Sequence, residues 1–69
     1  MSSNMPIKEV LATARRLVNP ANGSAQECLR SAHRANDQGD TEAARRWARK
    51  SIAYSVSVFH PAYRDTAAS

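Results

Sequence analysis

Much of what stabilises or activates a small protein is scarce in this chain. A single cysteine, Cys28, leaves no internal disulfide to form, and no Cys/His spacing matches a zinc site. Two glycines and three prolines leave little room for a glycine-rich phosphate loop. No apolar run approaches the ~20 residues that span a bilayer, and the opening MSSNMPIKEV lacks the uninterrupted apolar stretch of a secretion signal. These absences predict a soluble, cytoplasmic protein without membrane contact. His33 and His60 belong to no HExxH-like pattern, and no Ser/His/Asp order suggests a triad, so no catalytic residue, metal site or cofactor is expected. The expectation is a protein that is not an enzyme.

What is present is short, basic and helical in pattern. A chain of 69 residues is near the lower limit for a lone hydrophobic core and commonly gains stability by association. Ten Lys/Arg against six Asp/Glu give a net charge of +4, which favours an acidic partner. Proline and glycine divide the sequence into three helical segments, at about 6–18, 25–37 and 41–59. They form a single helical domain over 6–60, with a flexible N-terminus at 1–5 and a flexible tail at 61–69.

In the first segment Ile7, Val10, Leu11, Ala14, Leu17 and Val18 recur at the spacing of one helical face. Asn19 before Pro20 ends it, and NPANG turns the chain. Ser24 with Glu27 reads as a capping box for the second helix, whose apolar face is Ala25, Cys28, Leu29, Ala32 and Ala35. Gly39 suits the left-handed position after that helix, and Asp40 or Thr41 can cap the next, so the two fold back antiparallel.

The third segment carries two signals. IAYSVSVF places Ile52, Tyr54, Val56 and Val58 in strict alternation, as in a strand. The segment nevertheless continues a run without Gly or Pro and has no second strand to pair with, which favours helix. On that helix Ala44, Ala48, Ser51 and Ser55 form a strip of small side chains. Large residues flank it: Trp47, Tyr54 and Val58 on one side, Ile52, Val56 and Phe59 on the other. So wide an apolar arc exceeds what one neighbouring helix hides. Either the first helix or a second copy covers the remainder. The thin core favours a homodimer, with Ala48, Ile52, Tyr54, Val56 and Phe59 in the core or dimer interface. The expected fold is all-α: a helical hairpin with a long C-terminal helix and a short N-terminal helix, assembled as a dimeric helical bundle.

Arg45, Arg46, Arg49 and Lys50 take the outward arc, with Trp47 at its border. Such a run is commonly a solvated face. Here Glu42 can pair only with Arg45 or Arg46, and unneutralised arginine beside an aromatic resembles the composition of interface hot spots. Arg45, Arg46, Trp47, Arg49 and Lys50 are therefore the candidate partner-binding residues. The alternative is a small basic nucleic-acid-binding protein of helix-turn-helix layout. Against it, Asp40 follows the turn glycine where that motif has an apolar residue, and the cations lie mid-helix rather than at its base-reading end.

From Cys28 to Ile52 the chain resembles one tetratricopeptide-type hairpin. Ala32 stands at the small position of the first helix, Gly39 and Asp40 with Glu42 at the turn, and Ala44 and Ser51 at small positions of the second. Ser31 stands where that pattern has leucine and Val56 where it has its closing proline, and no second repeat follows. The resemblance implies a protein-binding hairpin rather than an array. In length, helical layout and dimer-ready hairpin the chain is also similar to the quorum-sensing anti-activators of temperate phages. That likeness implies an inhibitor that holds a LuxR-type transcription regulator of the host off DNA.

Overall fold

The third helix lies in the middle of the molecule, and the others are arranged around it. The computed structural model describes residues 5–67 and contains, in chain order, α1 (Ile7–Leu17), α2 (Gly23–Asp37), α3 (Thr41–Ser55) and a short α4 (Pro61–Asp65). Among the described residues there is no strand. Helix α3 packs most extensively on α2, then on α1, and touches α4, whereas α1 and α2 meet each other only slightly. The outcome is a slab of 37 × 28 × 14 Å.

Each helix is held by its predicted apolar face. All five residues of the expected apolar face of α2, Ala25, Cys28, Leu29, Ala32 and Ala35, are buried. Ala44, Ala48 and Ser51 of the α3 strip are fully buried, which lets the α2 and α3 backbones approach closely. Ser51 meets its burial by donating its hydroxyl to the Ala48 carbonyl at 2.6 Å. Val10, Leu11 and Ala14 of α1 and Val18 just after it join Ala25, Leu29 and Ala32 of α2 and Ala48 and Ile52 of α3 in one core. The first helix thus covers Ile52 within a single chain, while Val56 and Phe59 of the same expected ridge stay exposed.

The α2–α3 turn follows its local chemistry. Gly39 adopts φ 82°, the Asp40 N–H donates to the Ala35 carbonyl at 2.9 Å, and the Gly39 N–H donates to Asn36 at 3.0 Å. This Schellman arrangement needs the left-handed residue that glycine supplies without a Cβ penalty. Asp40 then caps α3, its carboxylate accepting from the Ala43 N–H at 3.0 Å.

Three expectations are corrected. Helix α2 starts at Gly23, and its cap is Asn22, whose Oδ1 accepts from the Ala25 N–H at 3.1 Å, so Ser24 lies inside the first turn. The same side chain donates through Nδ2 to the Tyr54 carbonyl at 3.0 Å, a bond across 32 residues of the chain that the hydroxyl of Ser24 does not make. Helix α3 is shorter than 41–59. Ser55 donates its hydroxyl to the Leu17 carbonyl and accepts from the Asn19 N–H, both at 2.9 Å, fastening the end of α3 to the α1–α2 turn. Beyond it, β-branched Val56 and Val58 disfavour helix, and Ser57 closes a local turn by accepting from the Phe59 N–H at 3.0 Å. The alternating stretch therefore divides: helix to Ser55, then irregular chain.

The third correction concerns the ends. Residues 1–4 and 68–69 of the expected loose ends lie outside the described residues, while most of the tail that remains is ordered into α4. Pro61 occupies the first turn and His60 Nδ1 accepts from the Ala62 N–H at 3.0 Å. Ala62 and Tyr63 pack against the core, as does Met5, and Thr66 is fully buried.

Candidate functional site: a cationic groove between α2 and α3

The basic run of α3 splits into two groups that face different neighbours. Arg45 reaches toward the chain ends, donating from Nη1 to the Thr66 carbonyl at 3.0 Å and from Nη2 to the Met5 carbonyl at 2.6 Å. One guanidinium thereby ties the segment before α1 to the segment after α4. Arg49 lies one turn further on. Its Nε and Nη2 share the Tyr63 carbonyl at 3.3 and 3.2 Å, and its Cζ sits 4.0 Å from the centroid of the Tyr63 ring. Both arginines are half-buried. Their geometry is that of a clasp for α4.

Trp47 and Lys50 turn the other way, toward α2. They line a groove of about 460 Å³ together with Tyr54 of α3 and Ser24, Glu27, Cys28, Arg30, Ser31 and Arg34 of α2. Trp47 is 38% exposed and Tyr54 54%. The Lys50 ammonium rests 5.2 Å from the centroid of the Trp47 ring, where the negative face of the ring's quadrupole attracts a cation. Arg46 is exposed on the same helix and is not part of this lining.

Of the five partner-binding candidates, the structure therefore brings two into the groove, sets two against α4 and leaves Arg46 in solvent. Of the core or interface candidates, Ala48 and Ile52 are fully buried, while Tyr54, Val56 and Phe59 are exposed, Phe59 to 92%. Arg30 and Arg34 were not singled out from sequence. Their signal was available: with Glu27 and Ser31 they stand at the three- and four-residue spacing that borders the apolar face of α2.

Cys28 forms part of the groove floor and is buried. Burial raises its thiol above the ordinary cysteine value, Glu27 adds to that rise and Lys50 opposes it. A raised folded-state value favours the protonated thiol. Its stabilising contribution is present at neutral pH and declines as the pH climbs through the ordinary thiol range, where the unfolded chain ionises first. Alkylation of Cys28 by iodoacetamide at neutral pH is expected to be slow in the native protein and fast in denaturant, as followed by mass spectrometry. Equal rates would place the thiol in solvent.

The arrangement contains an aromatic pair, flanking cations and a protonated thiol, a set suited to recognition. Among the described residues no group of three His, Cys, Asp or Glu side chains is placed to hold a metal. No helix among them is long and apolar enough to cross a membrane. No protein-family model, curated protein or solved structure matches the chain.

Proposed function

We propose that the protein is a small, non-enzymatic adaptor or inhibitor that occupies a protein partner through the α2–α3 groove. The observation that carries this reading is the exposure of Trp47 and Tyr54 on a wall that also holds Arg30 and Arg34, since tryptophan, tyrosine and arginine are the side chains that dominate binding energy at protein interfaces. Both likenesses noted in the sequence, to a tetratricopeptide-type hairpin and to phage anti-activators, point the same way. A LuxR-type transcription regulator of the host, kept from its DNA, is accordingly the first class of partner to screen. Cytoplasmic action fits such a target.

A homodimer belongs to the same proposal. Val56, Val58 and Phe59 form an exposed apolar knuckle after α3, and a second copy is the occupant expected there. Direct nucleic-acid binding is the rival. It is disfavoured because the N-terminus of α3, the end that would enter a groove in a helix-turn-helix protein, is capped by the Asp40 carboxylate and carries Glu42 in its first turn.

The test is photo-cross-linking in cells that express the protein, with a benzophenone amino acid at Ser31 in the groove or at Lys8 on α1. The groove position is expected to trap a discrete protein that the α1 position does not. Identical products from both positions, or nucleic acid alone at Ser31, would contradict the proposal.

A further inference from the structure

We propose that the α2–α3 groove accepts an acidic, amphipathic segment of its protein partner, with carboxylates directed to Arg30, Arg34 and Lys50 and an apolar side chain lodged against Trp47 and Tyr54. This rests on the protein-binding reading and specifies the chemistry of the partner.

Charge is the first argument. Three cations line the groove against one carboxylate, Glu27, so it presents a net positive wall to whatever enters. Arg30 and Arg34 stand one turn apart on α2, about 6 Å along the axis, and Lys50 faces them from α3. Arginine is weakly hydrated and presents a planar fork matched to carboxylate, so ion pairs on the groove wall lose little solvation. Trp47 and Tyr54 are two turns apart on α3, about 10 Å, which is the spacing over which a helix offers successive anchor side chains.

The same cations attract phosphate, and two observations separate the cases. Lys50 lies over one face of the Trp47 ring, which removes that face as a stacking platform for a nucleobase while leaving the rest of the ring to an apolar contact. At the turn end of the hairpin, Asp37, Asp40 and Glu42 are all exposed, so a phosphate backbone continuing along the groove toward that end meets three carboxylates. A peptide segment two or three helical turns long stops short of them. Acidic polypeptide is the occupant that fits both.

Fluorescence anisotropy tests this on the full chain with three labelled probes: an amphipathic helical peptide with glutamates on one face and leucine and phenylalanine on the other, its lysine-for-glutamate counterpart, and oligothymidylate. The glutamate peptide is expected to bind at least about tenfold more tightly than either of the others, a difference of ~1.4 kcal/mol. Charge reversal by Arg30→Glu with Lys50→Glu is expected to invert the preference between the two peptides. If circular dichroism shows that this variant has lost helix, Arg30→Gln with Lys50→Gln replaces it and is expected to abolish the preference. Equal binding of the two peptides overturns the acidic assignment while leaving protein binding through the groove intact, provided cross-linking at Ser31 still traps a protein. Tighter binding of oligothymidylate overturns both.

Discussion

Replacement of Ile52 by aspartate is expected to abolish the cooperative thermal transition of the protein. Ile52 is the largest fully buried side chain and contacts a core drawn from α1, α2 and α3. Loss of a buried isoleucine costs about 2–5 kcal/mol where the site does not collapse. A domain this small has only about 3–5 kcal/mol in reserve, and aspartate adds the desolvation of an unpaired carboxylate. Circular dichroism on heating reads the outcome. Phe59→Asp is the companion measurement: at 92% exposure it leaves the core untouched and is expected to keep a cooperative transition, its midpoint lowered only by the share of stability that the proposed dimer contributes. Sedimentation of the same variant bears on the proposed dimer, which the new charge in the Val56–Phe59 knuckle is expected to dissociate. Unfolding by Phe59→Asp would show that the knuckle contributes to the core; a native-like Ile52→Asp would remove Ile52 from it.

The second large effect is expected at Ala48. It has no exposed surface and shares the core with Ala25, Leu29 and Ala32 of α2, so close approach of the two helices depends on its size. Ala48→Leu inserts three heavy atoms beyond Cβ at that contact. Overpacking of a filled core costs about 1–3 kcal/mol, and here relief requires the hairpin to open. The urea midpoint is expected to fall, whereas Arg46→Leu, exposed on the same helix, is expected to change it little. A higher midpoint for Ala48→Leu would reveal unfilled space beside the small strip.

Why Ile52 and Ala48 were identifiable in advance, and other positions were not, follows from the range of the forces involved. The apolar faces of α1 and α2 and the small strip of α3 are set by side-chain periodicity, a local property, and their central residues are buried as that spacing predicts, with Ile7, Leu17 and Ser55 half-buried at the edges. Gly39 and Asp40 act within their own turn and were equally legible. The cap of α2 is a local bond that Asn22 was as able to offer as Ser24; what was not legible is the second bond of Asn22, to the Tyr54 carbonyl, and those of Ser55 to Leu17 and Asn19 at the end of α3. These bonds span 32 to 38 residues, and no local pattern announces them. Helix α4 did carry local signals, Pro61 at its start and His60 before it, but five residues give no periodicity to recognise. The candidate site was legible as a composition of arginine and aromatic, not as a geometry. Arg45 and Arg49 share that composition, yet carbonyl groups at Met5, Tyr63 and Thr66 hold them against the chain ends.

In the proposed function, binding occurs in the α2–α3 groove and not across the whole basic run of α3. Isothermal titration of the cross-linked partner, once identified, against Lys50→Glu and Arg49→Ala proteins tests it most directly. Lys50→Glu is expected to weaken binding by at least about tenfold, ~1.4 kcal/mol, with an unchanged melting midpoint. Arg49→Ala is expected to bind as the wild type does while its midpoint falls, because that side chain fastens Tyr63 and α4. Wild-type affinity in Lys50→Glu together with lost affinity in Arg49→Ala would contradict the claim and move the binding surface to the face that α4 covers.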